Sequence, residues 1–172
     1  MGDYRMTVIG ANPSFNLTTS LADMVNDNRF DEIPNVLAEL KVINSSSFDH
    51  CTGTEVRRFV RALIGKKRHA LIKEYMPAIV KALVGAEDFN ALLLIRENPK
   101  LYGELSQDGI AVIEKYAAAR ERAKLIFAEH VAENGENEFS KIEGDLTISF
   151  KNRSLTIRFA GGCAYTVFRF DS

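Results

Sequence analysis

The sequence predicts an α+β fold: a helix-rich N-terminal and central region packed on a small C-terminal antiparallel sheet. Three observations carry this. Apolar residues recur at helical spacing from about residue 19 to about 133. From about residue 145 to 171 the period switches to strict alternation. Capping and turn residues punctuate both regions. A chain of 172 residues is the size of one domain, and a three-stranded meander is too small to stand alone, so 1–172 is expected to form a single domain.

The elements follow in chain order. Met6–Ile9 has the apolar content of a short strand, and Gly10, Asn12 and Pro13 break it. Ser20 followed by Asp23 resembles a capping box and predicts a helix over Leu21–Asn26. Pro34 suits the first turn of a second short helix, with Val36, Leu37, Leu40, Val42 and Ile43 as its apolar side. Thr52-Gly53-Thr54-Glu55 is a stronger capping signal. Behind it, Val56, Phe59, Val60, Leu63 and Ile64 share one helical face, and Gly65 supplies a C-terminal stop at positive φ.

A further helix is predicted over Arg68–Val84, with Pro77 kinking it or marking a fresh start. Glu87–Glu97 forms another, stopped before Pro99. Asp108 caps a long helix from about Gly109 to Glu133, and Asn134–Asn137 is a loop. Leu146, Ile148 and Phe150 then alternate with polar residues, as do Leu155, Ile157 and Phe159; Cys163–Phe170 completes a three-stranded meander. Ala117–Ala119 in the long helix suits close packing within a monomer or across a homodimer equally.

The charge is uneven. Residues 56–85 hold eight bases and one acid, while the chain as a whole has a formal net charge of −1. Arg57, Arg58, Arg61, Lys66, Lys67, Arg68 and Lys73 fall within one seventeen-residue run that contains no acid. Arginine forks and lysine ammoniums both suit phosphate oxygens, so this segment points to the backbone of DNA or RNA. Seven neutralised phosphates imply a log–log salt slope of roughly −6 on duplex DNA. The helix–turn–helix motif itself fits poorly around Gly65, which favours backbone binding over sequence readout. The competing interpretation is a solvated helix face paired with the acidic segments on either side.

Other chemistry is weakly signalled. Three histidines and two cysteines are scattered without metal-ligand spacing, and no phosphate loop is present. Cys51 precedes a helix N-terminus, where a thiol pKa falls, and His50, His69 and His130 are the available bases. A small buried hydrophobe is the simpler account of Cys51, so a thiol-dependent enzyme is the weaker alternative. Tyr165, Phe168 and Phe170 resemble a base-stacking platform but are more simply core.

Two cysteines make no disulfide framework, and MGDYRMTVIG lacks the charged start and apolar run of a secretory leader. The longest apolar run, Ala91–Ile95, is too short for a bilayer. The expectation is a cytoplasmic, non-enzymatic accessory or regulatory protein that binds nucleic acid, with no cofactor, no metal and no membrane. The alternative is an adaptor or inhibitor that binds another protein.

Overall fold

A computed structural model describes residues 5–8, 21–43, 51–161 and 164–170, with the side chains of 5–8, 41–43 and 51–53 outside that description. The chain is α+β. In order it forms β1 (Arg5–Val8), α1 (Leu21–Asn26), a 3₁₀ turn (Phe30–Glu32), α2 (Ile33–Ala38), β2 (Leu40–Ile43), α3 (Cys51–Gly65) and α4 (His69–Gly85). There follow α5 (Phe89–Glu97), α6 (Pro99–Tyr102), α7 (Gln107–Asn134), β3 (Phe139–Glu143), β4 (Leu146–Lys151), β5 (Ser154–Phe159) and β6 (Ala164–Arg169).

The sheet has four strands, not three, in the order β3-β4-β5-β6, all antiparallel. The strand absent from the sequence-based expectation is β3, an edge strand. Its Ile142 is 73% exposed and Phe139 is its one apolar contact with the core. β4 and β5 behave as alternation predicts: Leu146, Ile148, Phe150, Leu155, Ile157 and Phe159 are buried.

Leu40, Val42 and Ile43 do not extend α2. They form β2, which pairs antiparallel with β1 in the register Arg5↔Ile43 to Val8↔Leu40. Leu40, Val42 and Ile43 are apolar whichever element holds them, and only a partner strand about 35 residues away decides the outcome. Among the described residues there are seven helices where about five were expected; α6, a single turn begun by Pro99, has no counterpart in the sequence-based reading.

Three helices end with the same hydrogen-bond pattern. After α1, Arg29 N–H donates to Met24 O at 2.9 Å and Asn28 N–H to Val25 O at 3.0 Å. After α3, Arg68 N–H reaches Leu63 O at 2.8 Å and Lys67 N–H reaches Ile64 O at 2.9 Å. After α4, Asp88 N–H reaches Leu83 O at 2.9 Å and Glu87 N–H reaches Val84 O at 3.0 Å. These are Schellman closures. The left-handed position is held by Asn28, Lys67 and Glu87, at φ 59, 59 and 51°, where glycine is the usual occupant. Gly65 is thus the last helical residue, and the positive φ assigned to it belongs to Lys67.

Helix starts are corrected similarly. Ser106, not Asp108, caps α7: its Oγ accepts from Gly109 N–H at 3.2 Å. Asp88 caps α5 by accepting from Ala91 N–H at 3.1 Å. The backbone of α3 is already helical at Cys51, one residue ahead of the expected Thr52 cap. α4 runs through the exposed Pro77 as one helix. The Ser20 cap and Cys163 lie outside the described residues.

Helices and sheet share one apolar core that runs from Leu21 to Tyr165. Their joint also carries polar contacts. Tyr165 Oη donates to Glu87 O at 3.1 Å and accepts from Phe89 N–H at 3.2 Å, so a strand residue closes the α4–α5 turn. The Glu87 carboxylate takes Lys115 Nζ at 2.9 Å and Tyr116 Oη at 3.1 Å. At the edge, Arg122 on α7 forks onto Glu143 of β3 at 2.9 and 2.7 Å. That hydrogen-bonded guanidinium holds the Glu143 carboxyl below the usual range. The pair therefore supports the fold above the ordinary carboxylate pKa of about 4.3, and its contribution is lost as pH falls through the depressed value. Among the described residues no helix is long and apolar enough to cross a membrane.

Candidate nucleic-acid interface

The basic segment folds as the end of α3, a three-residue turn and the start of α4. Amphipathic spacing decides its orientation. Val56, Phe59, Val60 and Leu63 are buried, which turns Arg57, Arg58 and Arg61 to solvent. Lys67, Arg68 and Lys73 are also exposed, and Lys66 is half-buried.

Acidic neighbours account for little of this charge. Among the described residues only Arg58 has a carboxylate partner, Glu55 on its own helix at 3.0 Å. An exposed i, i+3 pair of this kind is worth a few tenths of a kcal/mol. The acids between Glu104 and Glu143 pair elsewhere or not at all: Glu143 with Arg122 and Lys141, Glu121 with Lys124.

The structure divides the segment in two. The charges of Arg57 and Arg61 act on the hydroxyl of Tyr102 on α6. Burial raises the Tyr102 pKa, and the two guanidinium groups oppose that rise. Lys73 joins this group, since it lines the same cavity as Tyr102. Arg68 faces another way: its guanidinium lies 5.1 Å from the centroid of Phe30, a cation–π contact. Its charge also bears on Tyr75, whose pKa is raised chiefly by burial. Tyr75 and Lys73 are two residues apart on α4, about 200° around the helix. Lys66 and Lys67 occupy the turn between the two groups.

Tyr102 and its cavity have no counterpart in the sequence-based expectation. The cavity holds about 700 Å³. α4 supplies Lys73, Met76, Pro77, Val80 and Lys81 along one wall; Lys100, Tyr102, Glu104 and Asp108 stand on the other. The spacing 73, 77, 81 at i, i+4, i+8 on α4 was the available signal.

The other candidates separate from this surface. Tyr165 is buried, and Phe168 and Phe170 are half-buried among Phe127 and Phe150, with ring centroids 4.8 to 6.1 Å apart. These rings are core and do not form a stacking platform. The side chain of Cys51 and all of His50 lie outside the described residues. Among the described residues no three His, Cys, Asp or Glu side chains converge on a metal position.

Lys67 offers a direct test of the turn. A left-handed L-residue costs roughly 1 kcal/mol that glycine avoids. Lys67→Gly should raise stability by about 1 kcal/mol in urea unfolding while removing one cation. No gain in the unfolding midpoint would show that the Lys67 side chain contributes as much as the strain costs. The same change at Glu87 should destabilise, because it also removes the Lys115 and Tyr116 contacts.

No protein-family model, curated protein or solved structure matches the chain, so the geometry of this surface is what bears on function.

Proposed function

We propose that the protein is a non-enzymatic accessory or regulatory factor that binds the phosphate backbone of nucleic acid through Arg57, Arg61, Lys66, Lys67, Arg68 and Lys73. One observation carries this: these six cations reach the surface without a carboxylate partner among the described residues. Their charge is therefore available to phosphate oxygens, with no ion pair among the described residues to break first. Arg58 contributes less, because Glu55 already holds it.

The test is the affinity for fluorescently labelled 20-mers, duplex and single-stranded, across a salt series. Six neutralised phosphates predict a slope of about −5 on duplex DNA and a loss of about 10³ in affinity between 50 and 200 mM salt. Absence of binding at 50 mM salt, or binding indifferent to salt, sinks the proposal. An adaptor function has one specific support: Leu125 on α7 and Ile142 on β3 are 59% and 73% exposed. A protein partner that survives nuclease treatment and is lost with Leu125→Ser and Ile142→Ser would favour it.

A further inference from the structure

The cavity between α4 and the α6–α7 connection adjoins the basic surface, and its lining is chemically mixed. At about 700 Å³ it has the size of a small-molecule site. Met76 and Val80, both buried, and Pro77 and Pro99 supply apolar lining. Glu104 and Asp108 enter from the opposite side, and among the described residues neither is ion-paired. Lys73, Lys81 and Lys100 also line it, likewise without carboxylate partners. Lys73 belongs to both the cavity and the basic segment.

We propose that this cavity receives one extruded base of a single-stranded nucleic acid. The inference rests on the backbone-binding function above and specifies the ligand. Each part of a nucleotide has a counterpart. The flat apolar faces of a base suit the Met76, Val80 and proline wall. A base with an exocyclic amino group has N–H donors, which the Glu104 and Asp108 carboxylates accept. Its flanking phosphates carry the negative charge that Lys73, Lys81 and Lys100 match. Lys73 and Lys81 are eight residues apart on one helix, so the two ammonium stems start about 12 Å apart along the wall. A simple apolar anion would use the lysines but leave two carboxylates facing it, which argues for a ligand with both donors and phosphates. Duplex DNA must unpair and unstack a base to extrude it, whereas a single strand has no pair to break and pays less.

The experiment compares a labelled 12-mer of deoxyadenosine with the same twelve A·T pairs closed as a hairpin, which keeps them paired at 50 mM salt, by fluorescence anisotropy. The single strand should bind at least tenfold more tightly. Val80→Trp fills the cavity and should bring the ratio of the two affinities to about one. Val80 is buried, so Lys81→Trp at an exposed lining position serves as a second block, with folding of each checked by circular dichroism. Glu104→Gln with Asp108→Asn should narrow the preference for adenosine over thymidine 12-mers. Equal affinity for strand and duplex overturns the base pocket and leaves backbone binding standing. A single-strand preference that persists in a folded blocked variant overturns it as well. Failure of both nucleic acids to bind removes the backbone function and this inference with it.

Discussion

Tyr116→Ala should cost about 4 kcal/mol of stability, the largest effect expected of any single substitution in this chain. Tyr116 is fully buried on α7 and packs between a helix and the four-stranded sheet. Its ring lies 5.6 Å from Phe89 on α5, and meets Phe159 on β5 and Tyr165 on β6 edge-on at 4.9 and 5.1 Å. Offset and edge-on ring pairs each add about 0.5–1.5 kcal/mol beyond the area they bury. Truncation to alanine removes all of them and leaves a cavity between helices and sheet that packed neighbours fill only partly. Its hydroxyl donates to the Glu87 carboxylate at 3.1 Å, but Lys115 holds the same group. Tyr116→Phe should therefore cost only about 1 kcal/mol. Urea unfolding of the two variants separates the ring from the hydroxyl. A loss below about 1 kcal/mol for the alanine variant means that helices and sheet do not depend on this joint. Against a typical domain stability of roughly 5–15 kcal/mol, a loss of about 4 leaves a folded but measurably weakened protein.

The joint also shows where sequence patterning carries information and where it does not. Tyr116 and Phe159 lie on the apolar stripes of α7 and β5, and periodicity alone assigns both to the core. Nothing in either stripe reveals that they meet, or that Tyr165 closes the α4–α5 turn. Those contacts depend on docking across the core, at sequence distances of 43 to 78 residues. β3 escaped detection for a related reason: an edge strand with one apolar contact needs no alternation, since hydrogen bonds to β4 hold it in place. β2 shows the opposite case, where an apolar run suits helix or strand equally until a partner arrives. The basic segment was legible as charge and as amphipathic helix. Its division around Tyr102 and Phe30 was not, because α6 and the 3₁₀ turn are each a single turn with no period of their own.

That division makes the second large effect specific. If the Tyr102 group forms the main contact, Arg57→Glu with Arg61→Glu should abolish two phosphate contacts of six and add two repulsive charges. Each lost contact flattens the salt slope by about 1, so the duplex value should move from about −5 to between −3 and −4. The drop in affinity from 50 to 200 mM salt should shrink from about 10³ to about 10². At 50 mM the variant should bind at least tenfold more weakly than the unmodified protein. Lys66→Glu with Lys67→Glu tests the turn, and the comparison is fair because neither pair of side chains has a carboxylate to lose. Lys66 is half-buried, so the turn should contribute the smaller change of the two. Equal effects would mean a ligand that spans both groups and crosses the turn. A large effect of the Lys66 and Lys67 pair, with none from the arginines, would place the contact on the Arg68 and Phe30 side and separate it from the cavity. Charge reversal that leaves both affinity and slope unchanged means that these cations are only a solvated face. The arginine pair should be measured first, because its charge acts on Tyr102, which lines the same cavity as Lys73.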